Sequence, residues 1–277
     1  KYVIIKKVKN TKNLSKEILM FNFGFDNRII YVILAIFIIM NIGGYITNPD
    51  NLINLLLTLP AVLIAITFHE FAHAFAADKL GDDTPRRQGR LTLNPLAHLD
   101  PVGSVMLVFA GFGWGKPVEI NPRNFNRDRS MSASEAIVSF AGPLMNFILA
   151  IIFSVVIGIT LIATDSYIKI GSYGATIVTA NQVTAIIVQL LMLCVSVNLG
   201  LGIFNLIPLP PLDGSKILRN FLPYNAKEWM DRNYQILYIV FIIIWITPIA
   251  SMIISPILSG AYNGMLKGIL TLFGRIL

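Results

Sequence analysis

Five long apolar stretches constrain this chain more than any other feature of its sequence. Each approaches or exceeds the roughly 20 residues that an α-helix needs to cross a bilayer. Only 13% of the 277 residues are charged and 55% are hydrophobic, which is too little charge for a soluble domain of this size. The sequence therefore predicts an all-α, polytopic membrane protein. The stretches cover residues 29–46, 52–77, 133–163, 181–207 and 234–257.

The remaining segments complete the predicted domain organisation. Residues 1–28 mix seven Lys or Arg residues with apolar ones, which is typical of a basic arm at a membrane surface. Residues 260–277 are amphipathic to apolar, so they could form a sixth span or lie on the surface. We expect five to six transmembrane helices in one membrane-embedded domain over 29–277. Its catalytic core would cover about 52–215, and its C-terminal helices about 216–277.

The distribution of basic residues predicts the orientation of the spans. Lys and Arg number seven in 1–28, none in 47–51, eight in 78–130, one in 164–180 and four in 208–233. Because cytosolic loops carry the excess of Lys and Arg, the N-terminus and the ends of the second and fourth spans are expected in the cytosol. The expected location is a prokaryotic cell membrane. Topology and lipid headgroups explain the net charge of +7, so no nucleic-acid partner is expected.

Two histidines and a glutamate interrupt the cytosolic end of the second apolar stretch. His69 and His73 lie one turn apart on one face of the predicted helix, so both imidazoles can reach one metal ion. Glu70 lies beside them, in the position of a general base. This HExxH pattern is typical of zinc hydrolases, and ionisable residues inside a membrane span are usually functional. We predict one Zn²⁺ ion, with Glu70 as the catalytic residue.

A zinc hydrolase needs a third protein ligand. Asp213 is the best candidate, because charge counting places it level with the histidines and prolines over 208–211 end the preceding helix. A zinc ion held there would activate water for attack on a carbonyl, and Glu70 would accept the proton. Taken alone, Asp213 could instead belong to a common Asp-Gly turn.

Other polar residues near the predicted centre have several open interpretations. His98 could be a fourth metal neighbour, a substrate contact or a hydrogen-bonded loop histidine. Asn146, Asn198 and Asn205 are expected to hold helices together, the usual role of amides in spans, although Asn146 could polarise a carbonyl. Substrate-binding or transition-state roles are therefore predicted for Asn146, His98 and Asn205.

The segment between the second and third spans contains two further patterns. Residues 89–94 alternate polar with apolar residues like a strand, and Pro95 ends the alternation. An extended substrate could pair with the strand over 90–93. Residues 102–114 are apolar but too short to cross a bilayer, which favours a re-entrant segment.

Four motifs follow one another along the chain: HEFAH at 69–73, GRLTLNPLAHLDPVG at 89–103, AGPLMN at 141–146 and FNLIPLPPLDG at 204–214. Together they resemble the site-2 protease family of intramembrane zinc metalloproteases, over about residues 60–220. The resemblance implies that His69, His73 and Asp213 are the zinc ligands and Glu70 the base.

The same resemblance carries expectations about the fold. It implies a three-helix catalytic core with a re-entrant β-hairpin and loop over 89–114, and Asn146 facing the metal from the third core helix. Unlike some relatives, this chain is expected to have no PDZ-like insertion between the third and fourth spans. No nucleotide-sensing CBS module is expected after the fifth.

The resulting hypothesis is hydrolysis of peptide bonds within or near transmembrane segments of other membrane proteins, single-span proteins among them. A helical substrate must first unwind, because its own hydrogen bonds hide its carbonyls. Two alternatives stay open: a transporter or metal-handling protein with the same residues as an ion path, and a non-catalytic zinc scaffold. The transporter predicts flux without proteolysis, and it gives no reason for a glutamate directly after the first histidine.

Overall fold

A computed structural model describes residues 49–100, 103, 115–171 and 174–275. Nearly all of these belong to one compact unit, Asp50–Leu277. The predicted basic arm and first span, residues 1–46, lie outside the described residues, as does nearly all of the predicted re-entrant segment.

The described part of the chain is mostly helical, with irregular loops between the helices. It also contains a two-stranded antiparallel sheet, β1 (Tyr167–Gly171) and β2 (Gly174–Val178), in which Ile168 pairs with Ile177. Short 3-10 helices cover Pro95–Ala97 and Pro122–Asn124. The α-helices are α1 (Pro49–Lys79), α2 (Thr84–Arg87), α3 (Met131–Ala163), α4 (Gln182–Asn205), α5 (Asp213–Phe221), α6 (Tyr224–Arg232), α7 (Tyr234–Ile246) and α8 (Pro248–Leu272).

Four described helices, α1, α3, α4 and α8, are long and apolar enough to cross a membrane. The second, third and fourth predicted spans are confirmed as α1, α3 and α4, and the prediction of an all-α polytopic membrane protein is confirmed with them. Caps mark where two of these helices begin. The Ser130 hydroxyl accepts a hydrogen bond from the Ala133 amide (3.2 Å), and the Asn181 side chain accepts one from Val183 (2.8 Å).

The apolar core lies between α3, α4 and α8. Its members are fully or almost fully buried, and they include Ile157, Leu161, Val195, Leu199 and Leu266. The sheet closes this core at one end, where Ile168 is buried and its amide donates a hydrogen bond to the Arg275 carbonyl just after α8 (3.0 Å). We call this the hairpin end of the bundle.

The opposite end, which we call the site end, contains the end of α1, the start of α3 and the end of α4. Arg219 of α5 joins the elements there: it forms a two-point ion pair with Asp231 of α6 and lies 3.7 Å from Glu135 of α3. The helices α5 and α6 therefore pack beside the start of α3.

The predicted fifth span, 234–257, is wrong. The helix stops at Ile246, and Thr247 is extended (ψ 162°) because a residue before proline avoids the helical conformation. With 13 residues, α7 is too short to cross a hydrocarbon layer about 30 Å thick. The Trp245 ring lies 4.7 Å from that of Phe204, which places the end of α7 near the end of α4. The spanning helix is instead α8, which contains most of the predicted tail.

The predicted strand over 89–94 is also wrong. Residues 91 and 92 form a bend, residues 90, 93 and 94 have no regular structure, and a described bridge nearby pairs Leu99 with Gly115. The Arg90 side chain turns inward to backbone carbonyls, and the Thr92 carbonyl lies 2.7 Å from His98 Nε2, so the segment folds on itself. A strand would need those backbone groups to face a neighbouring chain.

Candidate metal centre

Three side chains from α1 and the start of α5 converge on one point. The Nε2 atoms of His69 and His73 lie 3.0 Å apart, and Asp213 Oδ2 lies 3.3 and 3.1 Å from them respectively. Within the described ranges, these residues form the group of His, Cys, Asp or Glu side chains that could hold a metal. Both histidines are buried, and the site lies about 9 Å along the axis before the end of α1, six residues beyond His73.

Hydrogen bonds at the far side of each imidazole fix which nitrogen faces this point. His73 Nδ1 lies 2.7 Å from the Val138 carbonyl oxygen, and His69 Nδ1 lies 2.6 Å from Asn146 Oδ1. A carbonyl only accepts, so each Nδ1 carries the proton and each Nε2 presents a lone pair. Such a carbonyl partner on the second nitrogen is typical of metal-bound histidine.

These donor atoms fit a zinc ion. Two imidazole lone pairs and a carboxylate oxygen, all acceptors, face one another without a hydrogen to share, so the arrangement calls for a cation between them. A tetrahedral zinc ion with bonds of about 2.1 Å would separate its ligand atoms by about 3.4 Å, close to the separations found. Three ligands from the protein would leave the fourth position open, as catalytic zinc sites do.

A chain of amides extends from His69 across three helices. Asn146 of α3 is fully buried, and its Nδ2 donates to the Ala65 carbonyl of α1 (3.1 Å) and to Asn198 Oδ1 of α4 (2.9 Å). Asn198 in turn donates to the Cys194 carbonyl (2.8 Å). We call Asn146 and Asn198 the amide relay. It ties α1, α3 and α4 together and orients the His69 ring.

The end of α4 folds back to deliver Asp213. After Asn205 the chain makes a compact turn, and Asp213 is the first residue of α5. A side chain at Gly214 would collide with the carbonyl oxygens of Leu206 and Ile207, so only glycine allows this close return.

The α3 backbone approaches the metal centre most closely at Gly142. A Cβ atom there would lie 2.5 Å from His73 Nε2 and 2.7 Å from His69 Nε2. Val138, Gly142 and Asn146 are spaced by four residues, so they share one helix face. On that face, the Val138 carbonyl contacts His73 and the Asn146 side chain contacts His69. Gly142 leaves room for both Nε2 atoms between them.

Glu70 points away from this face toward the loop before α3. Its Oε2 accepts a hydrogen bond from the Val118 amide (3.1 Å), and a Cβ at Gly115 would lie 3.4 Å from its Oε1. Glu70 directly follows the predicted ligand His69 in α1, and its role as a proton acceptor stays a prediction.

Two further predicted site residues lie outside the three-residue group. His98 is fully buried, with Nε2 2.7 Å from the Thr92 carbonyl oxygen, and its Nδ1 has no hydrogen-bond partner among the residues that the structure describes. Asn205 donates to the Leu201 carbonyl of its own helix (3.0 Å). Roles for His98, Asn205 and Asn146 toward a substrate stay predictions.

Sequence reasoning missed the contributions of Val138, Gly142 and the relay geometry of Asn198. The spacing of four within the third apolar stretch was a readable signal, because it repeats the spacing of His69 and His73. Which face of α3 meets α1 was not readable, because it depends on the packing between helices.

The chain is similar to several known proteins. The model of the family described as Peptidase family M50 matches residues 57–247. A relative from Bacillus subtilis, named "Putative zinc metalloprotease YwhC", is 37% identical over 216 residues, which are 78% of this chain and 92% of the relative. "Putative zinc metalloprotease Rip2" of Mycolicibacterium smegmatis is 29% identical over 70% of this chain and 68% of its own. No solved structure matches the chain significantly.

Proposed function

This chain belongs to peptidase family M50, the site-2 protease family, and is a zinc metalloprotease; we propose that it hydrolyses peptide bonds within or near transmembrane segments of other membrane proteins. One observation carries the proposal. Three acceptor atoms converge at 3.0–3.3 Å, and two of them belong to α1, a helix long and apolar enough to cross a membrane. A protease centre on such a helix can meet substrates that are themselves in the membrane.

The residues divide the work as follows in this proposal. His69, His73 and Asp213 would hold one zinc ion, which would supply Lewis acidity for attack on a carbonyl. Glu70 accepts a proton from the water molecule that attacks the carbonyl and returns that proton to the leaving nitrogen. The relay and the Val138 carbonyl keep both imidazoles in the tautomer that binds metal.

Charge distribution supports an orientation with the centre on the cytosolic side of a cell membrane. The segments at the site end carry most of the Lys and Arg outside 1–28, whereas the segment over 164–181 has one, Lys169. The proposed partners are single-span or other membrane proteins and the lipid bilayer.

Replacing the base tests the catalytic assignment. Glu70→Gln removes the proton acceptor but no ligand atom, so we expect loss of cleavage with zinc still bound at one ion per chain. Elemental analysis and a cleavage assay on the same preparation measure both. Glu228→Gln is the matched control, because Glu228 pairs with Arg232 on the exposed side of α6. A Glu70→Gln protein that still cuts would contradict the assignment.

Replacing Asp213 tests the ligand set. Asp213→Ala leaves two imidazoles, which is one ligand fewer than catalytic zinc sites use, so the zinc content should fall. Asp83→Ala is the control, since Asp83 pairs with the exposed Arg87. Unchanged zinc stoichiometry in Asp213→Ala would count against its role as a ligand.

The substrate class is tested with purified protein in lipid vesicles. A panel of single-span proteins is incubated with and without a zinc chelator, and any products are mapped by mass spectrometry. The proposal expects chelator-sensitive cuts within or next to the spans. Cuts confined to soluble segments would overturn it, although the chain would remain a zinc metalloprotease.

A further inference from the structure

Arg90 is a buried cation that the proposed chemistry leaves unexplained. The residue is 5% exposed, and no carboxylate in the described ranges forms an ion pair with it. Its guanidinium donates instead to three backbone carbonyls: those of Ala97, of Lys116 (3.1 Å) and of Pro117 (2.8 Å). Burying a charge without a counter-ion costs free energy, so we look for a role of Arg90 that offsets this cost.

Two of those carbonyls belong to residues 116–118, which we call the strap. The strap lies outside any helix, and both its carbonyls and its amides form hydrogen bonds. His98 accepts a hydrogen bond from the Lys116 amide (2.7 Å) through its own carbonyl, so the loop after α2 ties the strap a second time.

The last residue of the strap, Val118, contacts Glu70. The amide of Val118 follows directly after the carbonyl that Arg90 holds, and it donates to Glu70 Oε2 (3.1 Å). Glu70 needs such a partner because a carboxylate on a helix side chain can otherwise rotate among several conformations. A fixed backbone donor holds the carboxylate in one orientation.

We propose that Arg90 is a positioning residue for the catalytic base: it fixes the strap, and the strap amide of Val118 holds Glu70 in the orientation needed for proton transfer. This inference rests on the role of Glu70 in the proposed function. It assigns Arg90 no contact with substrate or metal.

The shape of the guanidinium explains why arginine suits this position. Arginine offers five N–H donors in a rigid planar fork, whereas lysine offers three donors around one point. Carbonyls of two separate segments, at Ala97 and at 116–117, can be held together by the fork. Burial lowers the pKa of Arg90, and the carboxylates of Glu70 and Glu119 partly counter that effect.

The kinetic test compares Arg90→Lys with Arg87→Lys. Arg87 is the last residue of α2, three positions before Arg90, and it is exposed and paired with Asp83, so it is a matched control. A soluble quenched-fluorescent peptide that the wild type cuts serves as the probe, so intramembrane cleavage is not required. A misplaced catalytic group costs about 100-fold, so kcat of Arg90→Lys should fall by about that factor while KM and zinc content stay unchanged.

A second variant approaches the same contact from the other side. Val118→Pro removes the N–H that donates to Glu70. Both variants act on one hydrogen bond in this proposal, so the double variant should lose no more activity than the more impaired single variant. Because Val118→Pro leaves Arg90 intact, it tests the strap even if replacing Arg90 prevents folding.

Hydrogen exchange supplies a readout without any substrate. In full-length protein, amides of a peptide covering 115–121 should exchange faster in Arg90→Lys than in the wild type or Arg87→Lys. Unchanged exchange, unchanged kcat, a rise in KM alone, loss of zinc or additive losses in the double variant would each overturn the proposal. If the wild type cuts the soluble peptide but no single-span protein, the proposed substrate class fails and the role of Arg90 is still decided.

Discussion

Gly142 sets how closely α3 can approach the metal centre. Any Cβ at this position would lie within 2.7 Å of both Nε2 atoms, inside the contact distance of a carbon and a nitrogen. The space that a side chain would fill is therefore the space next to the predicted zinc ligands. Glycine is required here because it has no side chain, and not because of its backbone flexibility, since the residue lies within a helix.

We expect Gly142→Ala to weaken zinc binding by at least about 10-fold, because the new methyl group must push an imidazole away from the shared point. Competition with a chromogenic chelator measures the affinity. Gly264→Ala is the control, since a Cβ at Gly264 in α8 meets nothing within 4 Å. Equal zinc affinity in Gly142→Ala and wild type would show that the helices can separate at little cost.

Single residues were the most predictable part of the molecule. His69, Glu70 and His73 follow from helical spacing alone, and Asp213 follows from counting charges on the loops. The structure brings the three predicted ligands together. The carbonyl of Val138 could not be predicted, because every residue has a carbonyl and only packing selects the one that meets His73.

At the scale of elements, the amide relay makes the orientation of His69 depend on three helices at once. Asn198 lies on α4, which supplies no predicted ligand of its own, yet it holds the amide of Asn146. That bond places the Asn146 nitrogen toward α4 and leaves the oxygen facing His69 Nδ1. The orientation of an imidazole on α1 therefore depends on a side chain two helices away.

Asn198→Leu should lower zinc affinity by about 10-fold, the lower end of the range for outer residues at metal sites. Asn205→Ala is the control for this measurement, because the described hydrogen bond of the Asn205 side chain stays within its own helix. The same chelator competition decides whether Asn198 supports zinc binding or only joins helices. If both variants bind zinc like the wild type, the relay only joins helices.

Element boundaries were predictable where sequence and packing agree. The second to fourth spans matched because each is one apolar run with turn or cap residues at its ends. The fifth failed because the apolar run continues through Thr247, although Pro248 was a signal for a break there. The strand over 89–94 failed because alternation also arises when one side chain, Arg90, turns inward from a loop.

At the scale of the whole molecule, α8 runs between the site end and the hairpin end. Its last turn leads to Arg275, which bonds the sheet and pairs with Asp165 just after α3 (2.7 Å). The end of α8 and the sheet should therefore face the same side of the membrane, opposite to the loop before α3.

Cysteine labelling tests this arrangement in intact cells. Cys194 is the one cysteine of the chain, so Cys194→Ala gives a clean background. Lys169→Cys and Leu272→Cys, both at exposed positions, should react with an impermeant maleimide added outside, whereas Arg127→Cys should react only after the cells are opened. Labelling of Arg127→Cys from outside would show that the orientation is the reverse of the one proposed. If only one of Lys169→Cys and Leu272→Cys reacted from outside, the packing of α8 would be contradicted.

The amide relay also bears on how this protein is assembled after insertion. A single helix placed in lipid would carry an unpaired imidazole or carboxamide in hydrocarbon, and none of α1, α3 and α4 satisfies its own polar groups at this depth. A pair of helices leaves at least one amide hydrogen or oxygen without a partner. Association of the three helices is therefore expected to be cooperative, so that a nascent chain gains its metal-binding geometry in one step.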